Sequence, residues 1–309
     1  MAQRIRLGLV GIGKIARDQH IPALAQDERF ELVATASRSP QQVDRLPAHA
    51  SVDEMIAGGH DLHAVSLCTP PNGRHAIAAA AIEAGLHVML EKPPAATLGE
   101  IEDLRARAQA RGVALFASWH SRAAAGVEPA RAWLRGKRVT GVRILWKEDI
   151  RRWHPGQEWI LGPGGFGVFD PGINAFSIVT RILPEPLFVE GARLRIPENR
   201  HAPVAVSMRM RTGDAPASAE LDFLQTGPQS WDIEVDTDAG TLRLREGGSK
   251  LELPGEPPQP GENREYPNLY ARFADLVAAK RSDVDVAPLR LVADALLIAE
   301  HERVEAFSF

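Results

Sequence analysis

Ile5-Arg6-Leu7-Gly8-Leu9-Val10 runs directly into Gly11-Ile12-Gly13-Lys14-Ile15-Ala16, and the junction between the two decides the fold. A short apolar run followed by Gly-x-Gly-x-x-Ala is a buried strand turning into a helix. Gly11 permits the tight turn. Gly13 lets a pyrophosphate approach the backbone, and Ala16 lets the helix pack closely on the strand. The first N–H groups of that helix remain available to an anion. Outward from this unit, further apolar runs at 32–36, 64–68, 88–90 and 113–117 alternate with helical stretches at 76–84 and 98–111. Continuous apolar strands separated by helices indicate a parallel sheet covered on both faces, hence a doubly wound domain.

The pattern changes near Trp119. A long strand at 139–146 is followed by a Gly/Pro/Trp-rich loop at 151–167 and a helix beginning near Asp170. Strands at 204–211, 217–223, 231–235 and 241–244 have no helices between them, which indicates an antiparallel sheet. Helices near 269–280 and 288–303 close the chain. The expected organisation is an α/β Rossmann domain over 1–121 and an α+β domain with an open, mainly antiparallel sheet over 122–309. Such a sheet is expected to expose apolar surface, which suggests a homo-oligomer with a dimer favoured.

The 309 residues are 44% hydrophobic and 25% charged, with a net charge of −4. There is no basic footprint for nucleic acid. No apolar run approaches the ~18–20 residues that span a bilayer. The N-terminus lacks the apolar region of a signal peptide, and one cysteine, Cys68, excludes an internal disulfide framework; a cytoplasmic location is expected. The histidines lack metal-ligand spacing, so no metal is expected.

Candidate site residues cluster at strand ends. The second strand ends in Ala36-Ser37-Arg38, with no acid to hold an adenosine ribose. A hydroxyl and a guanidinium there suit a 2′-phosphate, so NADP is expected to be accepted alongside NAD; a solvated Arg38 stacking on adenine is the alternative. Glu91-Lys92-Pro93 ends the fourth strand at the sheet edge where α/β ligands bind. The cofactor candidates are Gly11, Gly13, Lys14, Ile15, Ser37, Arg38, Cys68, Glu91 and Lys92, although Cys68 also reads as a core residue of its strand. In the second domain Asp170 reads as a helix N-cap with Pro171 at the first helical position. Asn174, four residues on, shares its helix face. A carboxylate beside an amide can handle a hydroxyl proton.

The order and spacing of Gly11-x-Gly13-x-x-Ala16, Glu91-Lys92-Pro93 and Gly164-Gly165 through Asp170-x-Gly172-x-Asn174 resemble the Gfo/Idh/MocA oxidoreductases over nearly the whole chain. The resemblance implies a Rossmann domain, an open-faced sheet domain and an active site between them. Many members carry a catalytic histidine where this chain has Asn174. An amide cannot take a proton, which leaves Asp170, alone or with Lys92, as the base; Lys92, Asp170 and Asn174 are the catalytic candidates. With 119–122, 146–149 and 152–156, Asn174 makes the chain similar to family members that oxidise aldoses such as L-arabinose, D-galactose and D-fucose at C1 to the lactone. An aldose needs carboxylates, imidazoles and aromatic platforms, which His120, Glu148, Trp153, His154 and Trp231 can supply beside Lys92, Asp170 and Asn174. Each of these also has an ordinary structural reading as a packed or solvated side chain. The rival readings are another sugar or polyol dehydrogenase of the family and a non-catalytic sugar or NADP sensor.

Overall fold

The computed structural model describes residues 3–40 and 42–309. Its residues divide into two compact units, 1–120 with 265–286, and 121–264 with 287–309. The first unit opens with β1 (Ile5–Val10). A π-helical turn, Ala16–His20, leads into α1 (Ile21–Ala25). Then follow β2 (Phe30–Ala36), β3 (Ala48–His49), α2 (Val52–Ala57), β4 (Ala64–Leu67), α3 (Arg74–Glu83), β5 (His87–Glu91), α4 (Leu98–Arg111) and β6 (Leu115–Ser118). The six strands pair in the order β3-β2-β1-β4-β5-β6, all parallel. The last four residues of β1 and all of β4 are buried, as a sheet covered on both faces requires. Residue choice sets the helix ends locally. The Thr97 side chain accepts from Glu100 N–H to start α4, and Gly112, at φ 67°, ends it.

The second unit holds α5 (Val127–Leu134), β7 (Val139–Lys147), α6 (Ile150–Trp153), α7 (Phe169–Ile182), β8 (Leu187–Pro197), β9 (Ala205–Thr212), β10 (Ala215–Asp222), β11 (Ser230–Thr237), β12 (Gly240–Arg245), β13 (Lys250–Glu252) and β14 (Gln259–Pro260). Two helices and a strand follow: α8 (Glu265–Ala279), α9 (Ala287–Ile298) and β15 (Glu300–Val304). The second sheet runs β14-β13-β12-β11-β7-β10-β9-β8-β15, with only β7–β10 and β8–β15 parallel. The mainly antiparallel sheet matches the sequence expectation.

Three expectations change. The division at 121/122 gives way to a chain that returns. Tyr266, Leu269, Tyr270 and Phe273 of α8 are buried with Leu7, Phe30, Met89 and Phe116, so α8 completes the core of the first unit. The last helix stops at Ile298, because Glu300–Val304 pairs in parallel with β8. The strand β8 itself escapes the alternation rule through an irregularity between Val189 and Gly191. The third correction concerns the open face of the second sheet, which is charged rather than apolar. Cross-strand register lines up Glu252, Arg243, Glu234 and Arg143 in one row, and Lys250, Arg245, Asp232 and Leu145 in the next. Arg143 pairs with Glu234 at 2.6 Å, and Arg245 with Asp232 at 3.1 Å. The apolar residues of these strands, such as Val142, Ile144, Ile233 and Val235, point to the other, buried face.

Candidate functional site

In the first unit, the carboxyl ends of β1, β2 and β4 frame a pocket of about 490 Å³. This is the edge of an open α/β sheet where ligands bind, and the volume suits a bound ligand. Gly11, Gly13, Ser37, Arg38 and Cys68 line it, as the sequence leads one to expect. Gly11 sits at φ 88°, and a Cβ on it would lie 2.8 Å from Thr69 N, so only glycine fits. Nothing lies within 4 Å of the place where a Gly13 Cβ would be, which leaves room for a phosphate. Lys14 and Ile15 are absent from the lining; Lys14 is exposed and pairs with Asp18. Sequence reasoning passed over Ser39, Asp53 and Thr69, which also line the pocket. Thr69 lies two residues beyond the end of β4, so the strand-end rule that selected Lys92 could have selected it. Its Oγ1 is buried without a hydrogen-bond partner among the described residues. An unpaired buried hydroxyl on a pocket-lining residue, with the glycine turn beside it, fits a polar ligand such as a dinucleotide.

Glu91 and Lys92 end β5, but they do different work. The Glu91 side chain is buried and turned into the unit, and Glu91 does not line the pocket. Its Oε1 accepts from Tyr266 O–H at 2.7 Å and lies 3.1 Å from His20 Nε2; its Oε2 accepts from Lys92 N–H at 2.8 Å. His20 Nδ1 lies 2.7 Å from the Tyr270 hydroxyl, which in turn reaches Ser66. Burial alone would raise the Glu91 pKa, but the His20 hydrogen bond and charge, helped by His120 and Tyr266, hold it at about 2. Burial likewise opposes charge on His20, yet Cys68, Tyr270 and Glu91 around it raise its pKa well above the ordinary value. The pair is therefore an internal imidazolium–carboxylate couple beneath the Lys92 backbone. The buried Arg74 guanidinium donates to the carbonyls of Thr69, Glu91 and Pro93, fastening the turns after β4 and β5. The Lys92–Pro93 peptide is cis. His120 belongs to this unit too: its Nδ1 is 2.6 Å from Glu265 Oε2, and its ring stacks on Tyr266.

In the second unit, α7 begins at Phe169 with Val168 as N-cap, so Asp170 is not the cap; it lies inside the first turn and is 4% exposed. Gly167 starts the helix earlier than the sequence suggests. At φ 56° it turns the chain, and a Cβ there would sit 2.2 Å from Pro203 O. Asn174 follows one turn on and is half-buried. A Cβ on Gly172, between them, would meet Leu221 Cδ1 at 2.6 Å, so α7 rests tightly on β10. Four other sequence candidates meet in this unit. Trp231 Nε1–H donates to Glu148 Oε2 at 2.7 Å, and His154 Nε2 lies 3.5 Å from Glu148 Oε1. The Trp153 ring meets Trp231 edge-on, with centroids 5.4 Å apart. Glu148 is 6% exposed, so this is a nearly buried carboxylate held by one indole with an imidazole beside it. Asp149 caps α6 by accepting from Arg151 N–H.

A parallel sheet in this strand order, with a glycine turn and a lined pocket at its carboxyl edge, defines the Rossmann class of dinucleotide-binding folds. Residues 5–118 match the model of the oxidoreductase family with an NAD-binding Rossmann fold, Gfo/Idh/MocA. Galactose 1-dehydrogenase from Pseudomonas fluorescens is 45% identical over 308 residues, covering 99% of each chain. The crystal structure of D-galactose-1-dehydrogenase from Rhizobium etli superposes with a TM-score of 0.93 at 51% identity, over 100% of this chain and 99% of that one. An inositol dehydrogenase homologue complexed with NAD+ from Azotobacter vinelandii shares the fold, with a TM-score of 0.78 at 21% identity over 91% of this chain and 87% of that one. The protein belongs to the Gfo/Idh/MocA oxidoreductase family. No helix among the described residues is long and apolar enough to cross a membrane.

Proposed function

We propose that the protein oxidises an aldose of the galactose type at C1 to its lactone, with NADP+ or NAD+ as oxidant. The observation that carries the reading is the Glu148 cluster. A buried carboxylate bonded by Trp231, with His154 beside it and Trp153 edge-on to Trp231, offers the acceptor, the apolar platforms and the imidazole that a sugar's hydroxyls and C–H face require. Full-length similarity to two galactose 1-dehydrogenases supports it.

Lys92 and Asn174 hold the C1 hydroxyl in this reading, and Asp170 accepts its proton. Burial of Asp170 shields it from bulk water, and its place in the first turn of α7 fixes its direction. The O–H electrons become the second C1–O bond as the C1–H bond breaks. A nicotinamide, when bound, would supply the acceptor for the hydride from C1. No Lewis acid is required, because the ring oxygen stabilises positive charge developing at C1; the protein's part is orientation and a base. Ser37 and Arg38, with Ser39 beside them in the pocket lining, favour a 2′-phosphate and so NADP.

The test is absorbance of reduced nicotinamide, with NAD+ and NADP+ separately, across D-galactose, D-fucose, L-arabinose, D-glucose, D-xylose and myo-inositol. Turnover is expected with the first three, and more efficiently with NADP+. Turnover only with inositol would overturn the substrate assignment, and silence across the panel would favour a sensor.

A further inference from the structure

Trp146 is 4% exposed, and its indole Nε1–H has no hydrogen-bond partner among the described residues. An indole N–H is a donor only, so a nearby donor cannot satisfy it. Native proteins leave few buried polar groups unpaired, and each calls for an explanation. One other side-chain atom among the described residues shares this condition, Thr69 Oγ1, and its residue lines the dinucleotide pocket. One unpaired group thus sits at a candidate ligand site already, and the position of Trp146 is equally telling.

Strand register sets Trp146 of β7 opposite Trp231 of β11 on one side and Leu221 of β10 on the other. All three side chains therefore share a sheet face with Glu148, two residues further along the chain. Trp231 is the residue whose indole holds Glu148. Leu221 is the residue that packs under Gly172, midway between Asp170 and Asn174. Trp146 thus lies between the carboxylate–indole cluster and the first turns of α7.

We infer that Trp146 is a further substrate-binding residue, its indole N–H donating to a hydroxyl of the bound aldose. The inference rests on the aldose reading of the second unit. Sugar hydroxyls suit the position chemically, since a hydroxyl that donates to a carboxylate keeps lone pairs for an N–H donor.

Trp146→Phe removes the donor and keeps an aromatic ring. Steady-state kinetics would be run with D-galactose and with its 2-, 3-, 4- and 6-deoxy analogues. The expected result is a rise of about tenfold in KM for D-galactose, the scale of one hydrogen bond, with kcat and the dinucleotide KM nearly unchanged. One deoxy sugar should be penalised in the wild type and suffer no further loss in the variant. In wild-type protein, the Trp146 indole proton should move downfield in the NMR spectrum on saturation with D-galactose and not with that deoxy sugar. This second measurement does not depend on the variant folding. An unchanged KM, an equal rise for every analogue, or an indole proton indifferent to sugar would overturn the inference. Failure of the aldose reading itself would show separately, as a wild-type protein that turns over none of these sugars.

Discussion

Replacing Glu91 with Gln tests the buried couple that carries the Lys92 backbone. The Glu91 pKa of about 2 lies about 2.5 pH units below its ordinary 4.5. At roughly 1.4 kcal/mol per pH unit, the charged carboxylate contributes about 3–4 kcal/mol at neutral pH. That agrees with the roughly 3–5 kcal/mol expected when one partner of a buried pair is removed. For a unit of this size the loss corresponds to about 7–14 °C in Tm. The sign with pH follows from the direction of each shift. Glu91 is lowered, so its contribution is complete above about 4.5 and disappears as the pH falls towards 2. His20 is raised, so its contribution is complete below its ordinary 6.5 and is lost as the pH rises through its elevated value. Calorimetric melting of wild type and Glu91→Gln at pH 7, 5, 4 and 3.5 should show a gap that is widest near neutrality and narrows below 4.5. A gap that stays constant down to 3.5, or a variant as stable as the wild type at pH 7, would refute the charged couple. The same substitution should lower kcat, because Glu91 Oε2 is the acceptor that holds Lys92 N–H.

Three further outcomes follow from the same geometry. Asp170→Ala should lose at least ~10² in kcat, the usual scale for removing a general base, and an unchanged kcat in rapid-quench or steady-state assays would end its assignment. Arg38→Ala should raise the KM for NADP+ by about tenfold or more and leave NAD+ nearly untouched, since the guanidinium serves only the extra phosphate; equal effects on both would place Arg38 on the adenine instead. On the open face of the second sheet the row Glu252, Arg243, Glu234 and Arg143 alternates in sign, a pattern that can pair with a second copy across a twofold axis. A dimer formed there should dissociate as salt rises from about 0.05 to 1 M in sedimentation runs, and a salt-indifferent dimer would place the interface elsewhere.

The Rossmann unit was legible because its signals are local. A buried strand, a glycine turn and a helix start occupy twelve consecutive residues, and each strand of the parallel sheet is one short apolar run. What escaped depended on partners distant in sequence. β8 hides its period behind an irregularity, and β15 becomes a strand only because β8 offers a free parallel edge. The helix α8 reads equally well as a closing helix of either unit. Its placement is decided by Tyr266, Tyr270 and Phe273 packing on Phe30 and Phe116, which no local pattern encodes. The apolar open face was expected from architecture alone, whereas the alternation of Arg143, Glu234, Arg243 and Glu252 becomes visible only once the strands are in register.

The candidate site divides along the same line. Lys92 and Glu91 stand next to each other in a motif, and sequence reasoning treated both as ligand-facing. The strand period sends neighbours to opposite sides, so while Lys92 is half-buried at the end of β5, the Glu91 carboxylate turns inward to His20 and Tyr266. Those partners come from residues 71 positions before and 175 positions after it, the second on the returning helix α8. The second unit shows the reverse case. Glu148, Trp153, His154 and Trp231 were chosen singly for their chemistry, each with an ordinary alternative, and they prove to be neighbours. Trp231 and His154, which lie 77 positions apart, meet on one buried carboxylate, and Trp153 meets Trp231; that convergence is stronger support for a sugar site than any single choice, because a packed histidine or a sheet-covering tryptophan has no reason to find the same acid.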